Sequence, residues 1–311
     1  MRKPILLAAA GLFAFNSATM AHDPPDFLAP VWQWPANAVP VLDADMSEYD
    51  IVPAEFWLTP GDFIQNFDTE QARVYQGEVA DPSSWDMRYL MSWNEESNRI
   101  YFAYEEFDDY ETSTPHDNFE FGLDADHSGG SFWHDAETDE ENNRERGRDA
   151  QPFHWSFSGG CGTTHRGPLG WSWLWVTPAD WYGTPEYTDH AFEYTQGSPC
   201  NLAETRKNVE WYQVFWDDFN WADPDAPLHD FEAGEILGMH TRLKDFDHNE
   251  ENDDTEDVPA GSASRWVFSA QGAAFGDADF FADFQLMDVA ADFPTAVEED
   301  SWGRIKASVA R

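Results

Sequence analysis

The chain has 311 residues, and its 60 acidic against 17 basic side chains give a formal net charge of −43. Such a surface repels nucleic acid and anionic membranes and suits a neutral partner, a cation or a salty medium. A hydrophobic content of 41%, with 16 Trp and 24 Phe, supports a real core and favours strands over helices.

Arg2 and Lys3 precede an apolar run over 5–15, and small residues then lead to Thr19-Met20-Ala21. This is the layout of a removed signal peptide, 1–21. The run is too short to span a bilayer, so an exported protein, periplasmic or extracellular and not membrane-spanning, is expected. Residues 22–40, rich in Pro and aromatics, read as an extended N-terminal arm over the body. No Pro- or Gly-rich linker divides 41–311, which is expected to form a single domain.

Strands are expected at 72–79 and 87–93, with Met87, Tyr89, Met91 and Trp93 on one face. A polar turn at 94–98 leads to 99–105, where Ile100, Phe102 and Tyr104 alternate with Tyr101 and Ala103, the pattern of a hairpin. The next stretch, 117–132, reads DNFEFGLDADHSGGSF. Its first half alternates, with Phe119, Phe121 and Leu123 on one side, and its second half is an acid-and-glycine turn. Residues 133–151 read as an acidic insertion loop and 153–157 as a short strand. Trp171, Trp173 and Trp175 alternate, 178–199 reads as a loop, and 208–216, with aromatics on both faces, as a central strand. An acidic loop over 217–229 precedes a strand at 235–243, a second acidic turn at 245–257, and strands near 264–269, 280–287 and 302–309. Helical periodicity is nearly absent, so the fold class is all-β, a sandwich or barrel.

Three stretches have the chemistry of a hard-cation site. Asp124, Asp126 and Ser128 present oxygens at alternate positions, Gly129 and Gly130 permit a sharp turn, and Asp135 is twelfth counting from Asp124. Asp245, Asp247 and Asn249 form a second set, and Asp43 with Asp45 a third. Calcium is the cofactor these suggest; solvated turns use the same residue types. Cys161 and Cys200 are the only cysteines, and in an exported chain a lone pair is most simply a disulfide, stabilising by about 3–4 kcal/mol.

Several of these units, in order, resemble the family 9 carbohydrate-binding modules and their DOMON-like relatives. VPVLDADMSEYD resembles the family's opening, a proline, an Asp-Gly pair and a Glu-Trp, with Ala44 in place of the Gly and Tyr49 in place of the Trp. SWNEESNRIYFAYEEFDDY resembles its hairpin, HDNFEFGLDADHSGG its next strand and acidic turn, AGEILGMHTRLKDFD its late strand, and SWGRIKA its close. The resemblance implies an antiparallel β-sandwich, here with long acidic loop insertions. It also implies a non-catalytic protein that binds a poly- or oligosaccharide in carbohydrate catabolism, with structural calcium. In the family such modules accompany glycoside hydrolases; here a hydrolase partner would be a separate protein.

An indole offers the apolar face of a sugar a flat surface, and polar neighbours take its hydroxyls. Trp133, Trp155 and Trp171 are the carbohydrate-binding candidates, and Trp173 is assigned to the core. Some DOMON-like relatives hold haem b through axial side chains, which would place Met239 or His240, next to Lys244, as ligands; a core Met239 is the simpler reading. No Gly-x-Ser-x-Gly elbow, His-Glu-x-x-His or phosphate-cradling glycine loop occurs, and acidic pairs are too abundant to single out a glycosidase couple. No catalytic residue is assigned.

Overall fold

The computed structural model describes residues 27–36, 38–65, 82–83, 85–109, 118–131, 150–156, 184–197, 204–219, 225–246, 263–267 and 276–288. Its strands are β1 (Leu28–Gln33), β2 (Trp57–Leu58), β3 (Ile64–Gln65), β4 (Trp85–Asn94), β5 (Arg99–Asp108), β6 (Asn118–Asp124), β7 (Gln151–Ser156), β8 (Thr188–Gln196), β9 (Thr205–Gln213), β10 (Ile236–Phe246), β11 (Ala263–Val267) and β12 (Ala282–Leu286). They follow one path, β3-β11-β10-β12-β1-β4-β5-β9-β8, with β6 on β10, β7 on β6 and β2 on β4.

The path folds over at β1. Leu28, Ala29, Pro30 and Val31 pair with β12, and Trp32 and Gln33 pair with Ser92 and Trp93 of β4. One strand therefore serves two sheets, the first built around β10 and the second running β4-β5-β9-β8. The stretch expected as an arm over the body thus contains a strand built into both sheets. Both β1 pairings are parallel, within a sandwich that is otherwise antiparallel. The other ladders are antiparallel, and the short polar turn between β4 and β5 requires it there.

Alternation decides which side chains meet between the sheets. Tyr89, Met91 and Trp93 of β4, Ile100 and Phe102 of β5, and Trp211 of β9 face Phe119, Phe121 and Leu123 of β6, Leu237 and Met239 of β10, and Phe284 of β12. Phe102 is wholly buried, stacked on Trp211 with centroids 4.7 Å apart and against Phe121 at 5.2 Å. Offset or tilted aromatic pairs at this separation add to the burial of their apolar area.

The outer face of the second sheet holds another core. Leu90, Tyr101, Ala103 and Tyr212 point outward there, and the segment between β1 and β2 covers them with Trp34, Met46, Tyr49 and Val52. In this strap a 3₁₀ turn, Met46–Ile51, is capped by the Asp45 carboxylate, which accepts from the Ser47 amide at 3.0 Å.

Three boundaries differ from expectation. The loop expected over 178–199 contains β8, in which His190, Phe192 and Tyr194 alternate with Asp189, Ala191 and Glu193. Among the described residues β8 pairs only β9, and an edge strand buries so little that its polar composition conceals it. Strand β9 ends at Gln213, and Trp216 lies beyond it in an isolated bridge to Leu228. Strand β10 runs to Phe246, so Asp245 is a strand residue opposite Ser264, not the start of a turn. The strands expected at 72–79 and 302–309, and the signal peptide, lie outside the described residues. Among the described residues no helix is long and apolar enough to cross a membrane.

Candidate functional site

Strand β6 delivers Asp124 to the acid-and-glycine turn. Its carboxylate is fully buried, with Oδ2 accepting from the Gly129 amide at 2.7 Å and Oδ1 from the Ser128 amide at 3.3 Å. Asp126 Oδ1 accepts from the same Ser128 amide at 3.2 Å. His127, Gly129 and Gly130 all have positive φ, so the chain reverses within a few residues. A Cβ on Gly129 would fall 2.3 Å from Asp279 Oδ1, and Asp279 itself accepts from the Gly130 amide at 2.8 Å. Burial, then the neighbouring Asp126 side chain, push the Asp124 carboxyl up to about 8. A carboxylate so displaced calls for a proton or a cation beside it.

Calcium takes 6–8 oxygens. Asp124, Asp126 and Ser128 are brought together as expected, but two amide N–H groups already occupy the Asp124 carboxylate. Among the described residues no group of three or more His, Cys, Asp or Glu is arranged to hold a metal ion. Asp135 lies outside the described residues, as do Asp247 and Asn249. In the third set, Asp43 Oδ1 accepts from the Asp45 amide at 2.9 Å and Asp45 caps the 3₁₀ turn, so both serve local backbone.

Trp133, Trp171, Cys161 and Cys200 also lie outside the described residues. Trp155 is a β7 strand residue, opposite Phe119 of β6. Met239 is wholly buried in the core with the Tyr89 hydroxyl 3.9 Å from its sulfur, the packing role rather than an open ligand position.

The second sheet carries a site that sequence reasoning missed. Where β4 begins and β5 ends, the strap stops covering the outer face, and a cleft of about 310 Å³ opens. Two rows of side chains cross it. Pairing aligns Asp86, Phe107 and Arg206 in one row, and Arg88, Glu105 and Asn208 in the next. Arg88 is ion-paired to Glu105 and lies 4.3 Å over the Trp57 ring at the strap's end. Burial lowers the pKa of this guanidinium, and Asp50 partly restores it. Arg206 lies 4.5 Å over the Phe107 ring. The Asn208 amide donates to the Ala44 carbonyl at 3.1 Å, tying the cleft to the strap.

The strap is held there by Glu210, the next outward residue of β9. Its carboxylate is fully buried and accepts from the Ala44 amide and, at 3.1 Å, from the Asp43 amide. The Tyr49 hydroxyl lies against it, and Tyr49 is pushed well above its ordinary value by burial, then by Glu210. Burial raises Glu210 to about 7 despite the amides that favour its charge. Ala44 adopts φ 63°, the conformation in which glycine is the natural occupant.

At the far end of the same sheet, His229 is held between Asp217 at 2.5 Å and Glu235 at 3.0 Å. Burial alone would lower its pKa, but the hydrogen bonds to Glu235 and Asp217 outweigh it and hold the imidazole at about 8. Asn98 of the hairpin turn donates to the His229 carbonyl at 2.7 Å and accepts from the Phe231 amide at 3.0 Å. With both ring nitrogens against carboxylates, His229 is a staple between loops and has no free nitrogen to act as a base.

No family model matches the chain, and no curated protein matches it. Among solved structures the chain is similar to a family 9 carbohydrate-binding module from Caldicellulosiruptor kristjanssonii in complex with cellotriose. The TM-score is 0.44 and the identity 13%, over 87% of this chain and 99% of that one. It is similar at TM-score 0.43 and 13% identity, over 86% and 99%, to a structure of a family 9 module from the same organism in complex with glucose. Similarity of this degree carries no functional argument.

Proposed function

We propose that the protein is an exported, non-catalytic carbohydrate-binding protein that presents a saccharide to carbohydrate-degrading machinery, with calcium supporting its acidic turns. The observation that carries the reading is where the resembling stretches fall. The hairpin stretch is β4–β5, the strand with its acidic turn is β6 and the turn after it, and the late strand is β10, in that order around one all-β core. Support is at the level of fold and motif, and a shared fold hosts many activities, so the ligand must be measured. Trp133, Trp155 and Trp171 remain the proposed stacking residues.

The test is binding of the mature, calcium-loaded protein to a broad glycan array. A reproducible saccharide hit is expected, and silence across the array would overturn the reading. The calcium part has its own assay. Chelation is expected to lower the melting temperature, and Asp124→Asn with Asp126→Asn to reproduce that loss; a melting curve unmoved by chelator would sink it. Mass spectrometry of protein from an oxidising compartment is expected to find Cys161 and Cys200 joined rather than as two thiols.

A further inference from the structure

We infer that the cleft on the outer face of the second sheet is a binding site for a neutral saccharide, held between Asp86 and Arg206 across Phe107. The inference rests on the carbohydrate reading above and gives it a place among the described residues.

Geometry carries it. Asp86 and Arg206 occupy one cross-strand row with Phe107 between them. Two strand spacings, about 9.5 Å, separate their backbones, a span suited to one sugar ring with its substituents. Arg206 has no acidic partner among the described residues; its guanidinium lies over the Phe107 ring. It is thereby held in place, with its five N–H donors uncommitted to any described carboxylate. Asp86 accepts one local bond, from the Met87 amide at 2.9 Å, and keeps further acceptor capacity. A carboxylate facing a guanidinium suits hydroxyl pairs, because each hydroxyl both donates and accepts.

Charge decides the class of ligand. Arg88 and Arg206 balance Asp86 and Glu105, and Arg88 is already paired with Glu105. The cleft has no surplus positive charge to hold an anion, and it sits on a chain of net charge −43 that repels polyanions. Its volume of about 310 Å³ admits a short saccharide segment rather than a long chain.

The experiment is calorimetric titration of the mature protein with cellotriose, xylotriose and trigalacturonate, alongside the glycan array. Wild type, Asp86→Ala, Arg206→Ala and Arg206→Lys are compared, with melting curves to confirm folding. The expected result is binding of a neutral trisaccharide that is unchanged between low and high salt. It should weaken about tenfold or more in both alanine variants, the scale of one lost charge-assisted hydrogen bond. Arg206→Lys keeps the charge but not the fork and is expected to weaken binding too. Tighter binding of trigalacturonate than of either neutral probe would overturn the ligand class. Neutral binding undiminished in the folded variants would overturn the location while leaving the carbohydrate reading intact. Failure of the wild type to bind any saccharide, array included, would overturn both.

Discussion

Glu210→Gln tests how the strap is held. Glu210 is a carboxylate with no exposed surface, docked under two backbone amides of the strap. Its pKa rises from the ordinary 4.5 to about 7 because burial outweighs those amides. The sign follows directly. A folded-state value above the unfolded one means the group favours folding most when protonated. That advantage is complete below about 4.5 and is lost as pH rises to 7. At roughly 1.4 kcal/mol per pH unit the loss is about 3 kcal/mol, an upper figure because solvent relaxation screens part of it. Gln has nearly the same shape and no charge to desolvate. Chemical denaturation of wild type and variant at intervals from pH 4 to pH 8 isolates the group, since other titrations cancel in the difference. The stability of wild type relative to Glu210→Gln is expected to fall by about 2–3 kcal/mol across that range. A difference independent of pH would refute the reasoning and show that the buried charge is fully compensated.

Three further outcomes are expected. Ala44→Gly should leave stability within about 1 kcal/mol of wild type, since relief of the positive φ offsets the lost methyl. Ala44→Val should cost more than about 2 kcal/mol, and thermal melts of the two would separate backbone strain from packing. His229, raised from 6.5 to about 8, contributes stability that is complete below 6.5 and lost as pH passes 8. Asp217 is 56% exposed, so solvent screening limits this to about 1 kcal/mol; His229→Gln should remove it, as read by urea midpoints at pH 6 and pH 9. Phe102→Ala should cost about 3–5 kcal/mol, because Trp211, Tyr89 and Phe121 all lose a stacked or tilted neighbour in a closed interior. A melting temperature near wild type would show that the core repacks.

Much of the fold is written in short-range pattern. A period of two residues sorts Met87, Tyr89, Met91 and Trp93 from their neighbours, and Phe119, Phe121 and Leu123 from theirs, whatever the strands later pair with. The same local chemistry marks the turn after Asp124, since acids and glycines there serve amides one turn away. Pattern fails where burial is partial. Among the described residues strand β8 pairs only β9, and its outward and inward residues are nearly as polar as a loop's. It fails again at β1, whose division between two sheets depends on partners some 60 and 250 residues away.

The cleft was invisible for the same reason. Asp86, Phe107 and Arg206 lie on three strands, and only the register of two ladders sets them in a row. Glu210 shows the division at one residue. Its sequence neighbours read as an aromatic-rich central strand, and nothing local names what a glutamate there would meet. Only the return of the strap over that face buries it beneath the Ala44 and Asp43 amides. Local alternation determines which side of a strand a residue faces; long-range pairing alone determines what lies there to meet it.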